Sequence, residues 1–203
     1  QSYKLKFFME DIIDVINYFN KENAILVGHD WGVAIGDNIV DQIPTRVERY
    51  VRCCLSLHNY DPRNSLHHQW NSLNPEKATR LMIKSEAYVR VWFESSCKPE
   101  LLPSNSEIKE IIDEFSYKGV GDSVPRYFRD IPKSKKVDLK KFTMPILYIH
   151  GEFDPRQPVS YCIGMEKHLP GLEAILVLDS GHFITREQPI LTSNAIMWFF
   201  NSM

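Results

Sequence analysis

Asp30, Asp154 and His182 each follow a short apolar run and lie within three residues of a glycine. Their types suit nucleophilic catalysis in two steps. Asp30 is the centre of Gly28-His29-Asp30-Trp31-Gly32, which has the Gly-x-nucleophile-x-Gly form of a strand-to-helix elbow, with aspartate where acyl-transferring enzymes carry serine. A carboxylate attacks a saturated carbon and forms an ester, so the choice of aspartate points to alkyl rather than acyl transfer. A histidine can then draw a proton from the water that breaks the ester, while a second carboxylate holds the imidazole in the right tautomer.

The neighbouring sequence predicts how these groups are positioned. Ala24-Ile25-Leu26-Val27 reads as a buried strand, and the residues from Gly32 to Val40 switch to helical spacing, so the pentapeptide falls where a strand becomes a helix. Such a turn strains its central residue, and glycines at 28 and 32 are expected to remove Cβ atoms that would strike the strand and helix backbones. The free N–H groups of the following helix favour a carboxylate there and, later, an oxyanion. Taken alone, the pentapeptide leaves two readings open, a nucleophile or a helix N-cap. Pro145–Ile149 runs into His150-Gly151-Glu152-Phe153-Asp154-Pro155, and Ala174–Leu178 runs into Asp179-Ser180-Gly181-His182-Phe183. Both polar groups therefore leave parallel strands at the same edge as Asp30, where α/β sheets form their ligand crevices.

His-Asp-Trp-Gly at 29–32, Gly-Glu-Phe-Asp-Pro at 151–155 and Ser-Gly-His-Phe at 180–183 resemble the motifs of α/β-hydrolase fold proteins, specifically the epoxide hydrolase and haloalkane dehalogenase branch. The chain resembles roughly the carboxyl-terminal two-thirds of that fold, and the order nucleophile, acid, histidine is the order of its triad. The resemblance implies a mostly parallel sheet flanked by helices, with a helical cap inserted after the strand that follows the elbow. It implies Asp30 as nucleophile, His182 as general base, Asp154 as the acid that orients it, the Trp31 N–H as oxyanion donor, and no metal or organic cofactor. The family's second oxyanion donor comes from an early loop bearing His-Gly-x-Pro, a motif that does not occur in these residues, so that loop and the early strands are expected upstream of Gln1. Without them the sheet would keep an exposed edge.

Epoxide hydrolases of this branch place two cap tyrosines over the nucleophile to protonate the opening epoxide oxygen, whereas the dehalogenases hold the leaving halide with donors such as the indole of the Trp after the nucleophile. Trp31 stands at that position, which both groups share. The best matches for the tyrosines are Tyr88, in Glu86-Ala87-Tyr88-Val89-Arg90-Val91-Trp92-Phe93, and Tyr127, in Val124-Pro125-Arg126-Tyr127-Phe128-Arg129-Asp130. Aligned on Arg129, however, the tyrosine position falls on Phe128. One step along a helix turns a side chain by about 100°, so Tyr127 substitutes only if the register shifts. Both tyrosines keep two readings, proton donor or packing aromatic. Three functions follow: epoxide opening to a diol, halide-releasing hydrolysis, or binding of a small apolar ligand without turnover.

The expected organisation is a first part of the core at 1–64, a cap at 65–136 and a second part of the core at 137–203. In the first part, Phe7, Phe8, Ile12, Ile13, Val15, Ile16 and Phe19 form the apolar face of a helix, and 46–57 reads as a strand closed by a turn at 58–62. In the cap, aromatic-rich helical segments alternate with expected breakers at Pro75, Pro99, Pro103, Gly119, Gly121, Pro125 and Pro132. A lid of this kind excludes water from a carboxylate nucleophile. His58, His67 and His68 read as loop histidines, and Asp61 as a less suitable triad acid than Asp154. The lysines at 133–136 with Lys140 and Lys141 read as a solvated linker.

With 203 residues and 43% hydrophobic content, the chain can bury a real core. A net charge of −2 gives no reason to expect nucleic acid or an anionic membrane surface as partner, and the apolar runs are too short to span a bilayer. The expected partner is a small apolar substrate, an epoxide or a halide. Cys53, Cys54, Cys97 and Cys162 fit reduced thiols, hence a cytoplasm-like compartment by default, and their spacing offers no zinc site. Oligomeric state and substrate identity have no signature in the sequence.

Overall fold

The structure is a computed structural model, and it describes residues 3–55, 70, 73–130 and 137–202. The expected domain boundaries at 64/65 and 136/137, the turn at 58–62, His58, Asp61, His67, His68, Pro132 and the lysines at 133–136 lie outside the described residues. Four strands, β1 (Ala24–His29), β2 (Val47–Cys53), β3 (Ile146–Gly151) and β4 (Leu172–Leu178), pair in parallel in the order β1-β2-β3-β4. The helices, in chain order, are α1 (Leu5–Tyr18), α2 (Trp31–Gln42), α3 (Pro75–Lys84), α4 (Glu86–Glu94), α5 (Asn105–Phe115), α6 (Val120–Asp130), α7 (Ile184–Glu187) and α8 (Pro189–Asn201). Two compact units result, Lys6–Tyr60 with Lys135–Met203, and Gln1–Leu5 with Asp61–Ser134.

The first unit is a parallel sheet flanked by helices, as the motifs implied. Side chains alternate along β2, and the two faces of the strand feed two separate cores. Tyr50 joins Val33, Ile39 and Val40 of α2, Met9 of α1 and Tyr148 of β3. Val51 and Cys53 join Leu147, Ile149, Ile184 of α7 and Phe199 of α8. Each fully buried aliphatic side chain of this kind contributes about 1.5–3 kcal/mol. β1 forms an edge of the sheet among the described residues, with Val27 51% exposed.

Polar contacts pin the layers. Arg52 of β2 is fully buried and grips Asp37 of α2 with two bonds, Nε to Oδ1 at 3.0 Å and Nη2 to Oδ2 at 2.7 Å. Tyr50 donates its hydroxyl to the Val33 carbonyl at 2.9 Å. Arg49 reaches the carbonyls of Phe199 and Ser202, fastening the end of α8.

Two local expectations change. On α1 it is Met9, Ile13 and Ile16 that meet the core, whereas Phe7, Ile12, Val15 and Phe19 are exposed. Spacings of three and four keep Met9, Ile13 and Ile16 on one stripe, and the predicted face was wider than the surface available to cover it. The strand read at 46–57 is shorter, because Pro44–Arg46 forms a turn of 3-10 helix ahead of Val47 and the ladder stops at Cys53.

The second unit is helical. Ser85 caps α4, and Ser104 with Glu107 forms a reciprocal capping box at the start of α5. Pro75 occupies the first turn of α3, where a missing N–H costs nothing, and Gly119 takes a left-handed φ of 88° before α6. Gly121 and Pro125 do not break the chain: both lie inside α6. Pro125 is the sixth of the eleven residues of α6, past the free N–H groups of the first turn, so it leaves the Gly121 carbonyl without its helical donor.

Candidate active site

Asp30 lies between β1 and α2 with φ 49° and ψ −115°, a conformation that few residues other than glycine adopt. The surrounding bonds hold it there: its N–H donates to the Cys53 carbonyl at 3.1 Å, and its carbonyl accepts from the Val33 N–H at 2.9 Å. Gly28 makes the turn possible, because a Cβ at that position would stand 2.7 Å from the Gly32 backbone. The matching expectation for Gly32 is corrected. A Cβ there would meet nothing within 4 Å among the described residues, because the first turn of α2 leaves that side open.

Asp30 occupies the N-cap position of α2, yet its side chain makes no capping hydrogen bond. The carboxylate turns instead to His182, whose Nε2 stands 3.5 Å from Oδ1. On the other side of the ring, His182 Nδ1 donates to Asp154 Oδ2 at 2.7 Å. Asp154 and His182 follow β3 and β4 at the same edge of the sheet as Asp30. Two more backbone bonds stack the acid turn on the histidine turn, Glu152 N–H to the Leu178 carbonyl and Phe153 N–H to the Ser180 carbonyl, each 2.9 Å. Gly151 permits the stacking, since a Cβ there would overlap the Gly181 carbonyl oxygen.

Electrostatics set the three groups apart. Burial opposes the imidazolium of His182, but the hydrogen bonds and charges of Asp154 and Asp30 outweigh it and raise its pKa to about 9. Burial likewise opposes the Asp30 carboxylate, and the His182 bond and charge, with His29 and Arg156, bring it down to about 2. The resting arrangement is a carboxylate, an imidazolium and a carboxylate in line. His182 Nε2 is buried, faces Asp30 Oδ1 at 3.5 Å and has no closer hydrogen-bond partner among the described residues.

No family model matches the chain. In sequence it is similar to Epoxide hydrolase 3 of Mus musculus, 25% identical over 215 residues that make up 98% of this chain and 57% of that one. It is also similar to AB hydrolase superfamily protein YfhM of Bacillus subtilis (strain 168), 23% identical over 218 residues, 99% of this chain and 74% of that one. The chain thus spans little more than half the length of the mouse relative. Its fold matches that of epoxide hydrolase CorEH without ligand, with TM-score 0.76, 18% identity and coverage of 98% and 75% of the two chains. The chain has the α/β-hydrolase fold. A thermophilic esterase from Thermogutta terrifontis with malate bound matches nearly as well, with TM-score 0.75, 17% identity and coverage of 98% and 73%. Fold therefore does not choose the reaction, and the choice rests on the residues of the site.

In this α/β-hydrolase chain, Trp31 is the first residue of α2, directly after Asp30. Tyr88 lies in the first turn of α4 and Tyr127 near the end of α6, both half-buried within the helical unit. Phe128, at the position aligned with a family tyrosine, is 4% exposed and meets the Tyr127 ring edge-on at 6.0 Å, so it belongs to the interior of that unit. Among the described residues no group of three or more His, Cys, Asp or Glu could hold a metal ion, and no helix is long and apolar enough to cross a membrane. All four cysteines are buried free thiols.

Several supporting residues escaped the sequence reading. Asp154 Oδ1 accepts the backbone N–H groups of Arg156 and Gln157, at 2.8 and 3.2 Å. Gln157 is tied in turn to the Cys54 carbonyl through its amide and to buried His150 through its own carbonyl. Burial lowers the pKa of His29, and its Nε2–H donates to the His182 carbonyl at 2.8 Å. Glu187 accepts the N–H groups of Gly181 and Phe183. A carboxylate four residues beyond a turn is a reach-back signal that could have identified Glu187, whereas the partners of His29 and Gln157 are more than a hundred residues away in sequence.

Proposed function

We propose that the protein is a hydrolase that opens an epoxide to a diol through a covalent ester on Asp30. The observation that carries this reading is the placement of Asp30: a helix N-cap by position, it makes no capping bond and faces a histidine anchored by a second carboxylate. Aspartate at this point selects alkyl transfer, and similarity to an epoxide hydrolase over nearly the whole chain supports an epoxide as substrate.

In the first step an Asp30 oxygen attacks an epoxide carbon, the C–O bond of the ring breaks, and the released alkoxide takes a proton from a cap tyrosine, for which Tyr88 and Tyr127 are the candidates. In the second, the His182 imidazolium gives its proton to the tyrosinate, and the neutral ring then accepts one from water as the hydroxide adds to the Asp30 carbonyl carbon. Backbone N–H groups at the start of α2, that of Trp31 first, face the developing oxyanion. Collapse expels the diol oxygen, which takes the proton left on the Asp30 carboxyl, and His182 ends as the resting imidazolium.

The charge arrangement times the base. At neutral pH the resting His182 is protonated, because its pKa is raised to about 9. Ester formation removes the Asp30 charge, one of the two supports of the imidazolium, so the pKa falls when a base is required.

Isotope labelling tests the route. In a first turnover in ¹⁸O-water, the ester mechanism puts ¹⁸O into Asp30 and leaves the diol unlabelled, whereas direct attack by water labels the diol and would refute the proposal. Halide release is the second reading, since Trp31 stands at a position that both groups share. Free halide from haloalkanes, with no diol from any epoxide, would select it.

A further inference from the structure

We propose that Glu187 is a positioning residue for His182, clamping the histidine turn so that the imidazole addresses both carboxylates. The kinetic part of this proposal rests on the function proposed above.

Glu187 ends α7, the one-turn helix directly after His182. Its carboxylate reaches back across the turn, Oε2 accepting the Gly181 N–H at 2.8 Å and Oε1 the Phe183 N–H at 3.0 Å. These two amides flank His182, so one planar group fixes the backbone on both sides of the residue that carries the imidazole. A carboxylate suits the task, because two donors require two acceptors and charge-assisted bonds are about twice as strong as neutral ones.

Burial sharpens the inference. Glu187 is 6% exposed, and a buried carboxylate is costly unless its oxygens are well bonded. A turn that needed only to be filled could use an apolar side chain of the same size. Two other contacts to this turn hold carbonyls: Phe153 N–H binds that of Ser180, and His29 Nε2–H that of His182. Glu187 holds the amides. Without it the flexible Gly181 lets His182 swing away from Asp154. The imidazolium draws its electrostatic support from Asp154 and Asp30, which leaves Glu187 a geometric part.

The two chemical steps depend on this geometry unequally. Ester formation needs Asp30 and a proton donor, whereas ester cleavage needs His182 aimed at water. A misplacement of about 1 Å costs on the order of 10²-fold in rate. Loss of Glu187 therefore slows cleavage and spares formation.

The test compares wild type, Glu187→Gln, Glu187→Ala and His182→Gln in single-turnover reactions with styrene oxide, following the adduct by intact mass. Proton NMR follows the low-field resonance of the His182 Nδ1 proton held by Asp154. Glu187→Ala is expected to accumulate adduct, with cleavage slowed about 10²-fold and formation little changed. It is also expected to lose the low-field resonance. Glu187→Gln keeps one acceptor and should fall between, with the resonance retained. Wild-type cleavage in Glu187→Ala, equal slowing of both steps, or an undisturbed resonance would overturn the proposal. If His182→Gln gives no adduct while the resonance disappears in Glu187→Ala, the proposed function fails and the positioning role stands.

Discussion

His182 Nε2 stands 3.5 Å from Asp30 Oδ1, close enough for strong electrostatic pairing and too far for a good hydrogen bond. Asp30 is thus kept ionised by its partner without being tied to it. In the proposed mechanism the carboxylate turns to a substrate at little cost, and the histidine registers the loss of charge as the ester forms.

That coupling predicts a shift in titration. With Asp30 present, His182 is raised to about 9; removing the Asp30 charge removes a support of the imidazolium, so the pKa must fall. NMR titration should place His182 near 9 in the wild type and clearly lower in Asp30→Ala. An unchanged midpoint would show that Asp30 does not govern the base.

Asp154→Asn removes the acceptor that fixes the His182 tautomer while keeping the size of the side chain. A loss of about 10³–10⁴-fold in kcat is expected, concentrated in ester cleavage. Pre-steady-state kinetics should then show an undiminished burst followed by slow turnover.

Gly28 and Gly32 look equivalent in the pentapeptide but differ in the space around them. Gly28→Ala drives a Cβ into the backbone of the first turn of α2 and should destabilise the fold by about 1–3 kcal/mol. Gly32→Ala meets nothing within 4 Å among the described residues and gains helix propensity, so its stability in urea unfolding should match or exceed the wild type by up to ~1 kcal/mol.

The Arg52–Asp37 pair holds α2 to the sheet. Asp37→Ala strands a buried guanidinium and should cost about 3–5 kcal/mol in chemical denaturation. The double variant Asp37→Leu, Arg52→Met should recover most of that loss, because it leaves no buried charge.

The parallel sheet and the position of Asp30, Asp154 and His182 at one edge were legible because each residue follows a short apolar run bounded by a glycine turn, although Val27 of β1 and Val177 of β4 are exposed rather than buried as the runs suggested. The competing cap reading of Asp30 was not resolvable from sequence, since an N-cap aspartate and a nucleophile at a strand-to-helix turn look alike. In the structure the Asp30 side chain makes no capping bond. The exposed half of α1 was misjudged because periodicity reports which residues are apolar and not how wide a surface awaits them. Pro125 was read as a breaker because proline removes a helical N–H, and the sequence does not mark that the helix runs on through it. The bonds of His29, Gln157 and Cys54 join segments that only the fold brings together.

The most direct measurement is the mass of the Asp30 peptide from a His182→Gln variant incubated with a panel of epoxides. Esterification at Asp30 with cleavage blocked predicts a stable adduct on that peptide, its mass increased by that of the epoxide. An unmodified Asp30 across broad panels of epoxides and haloalkanes would contradict the covalent mechanism.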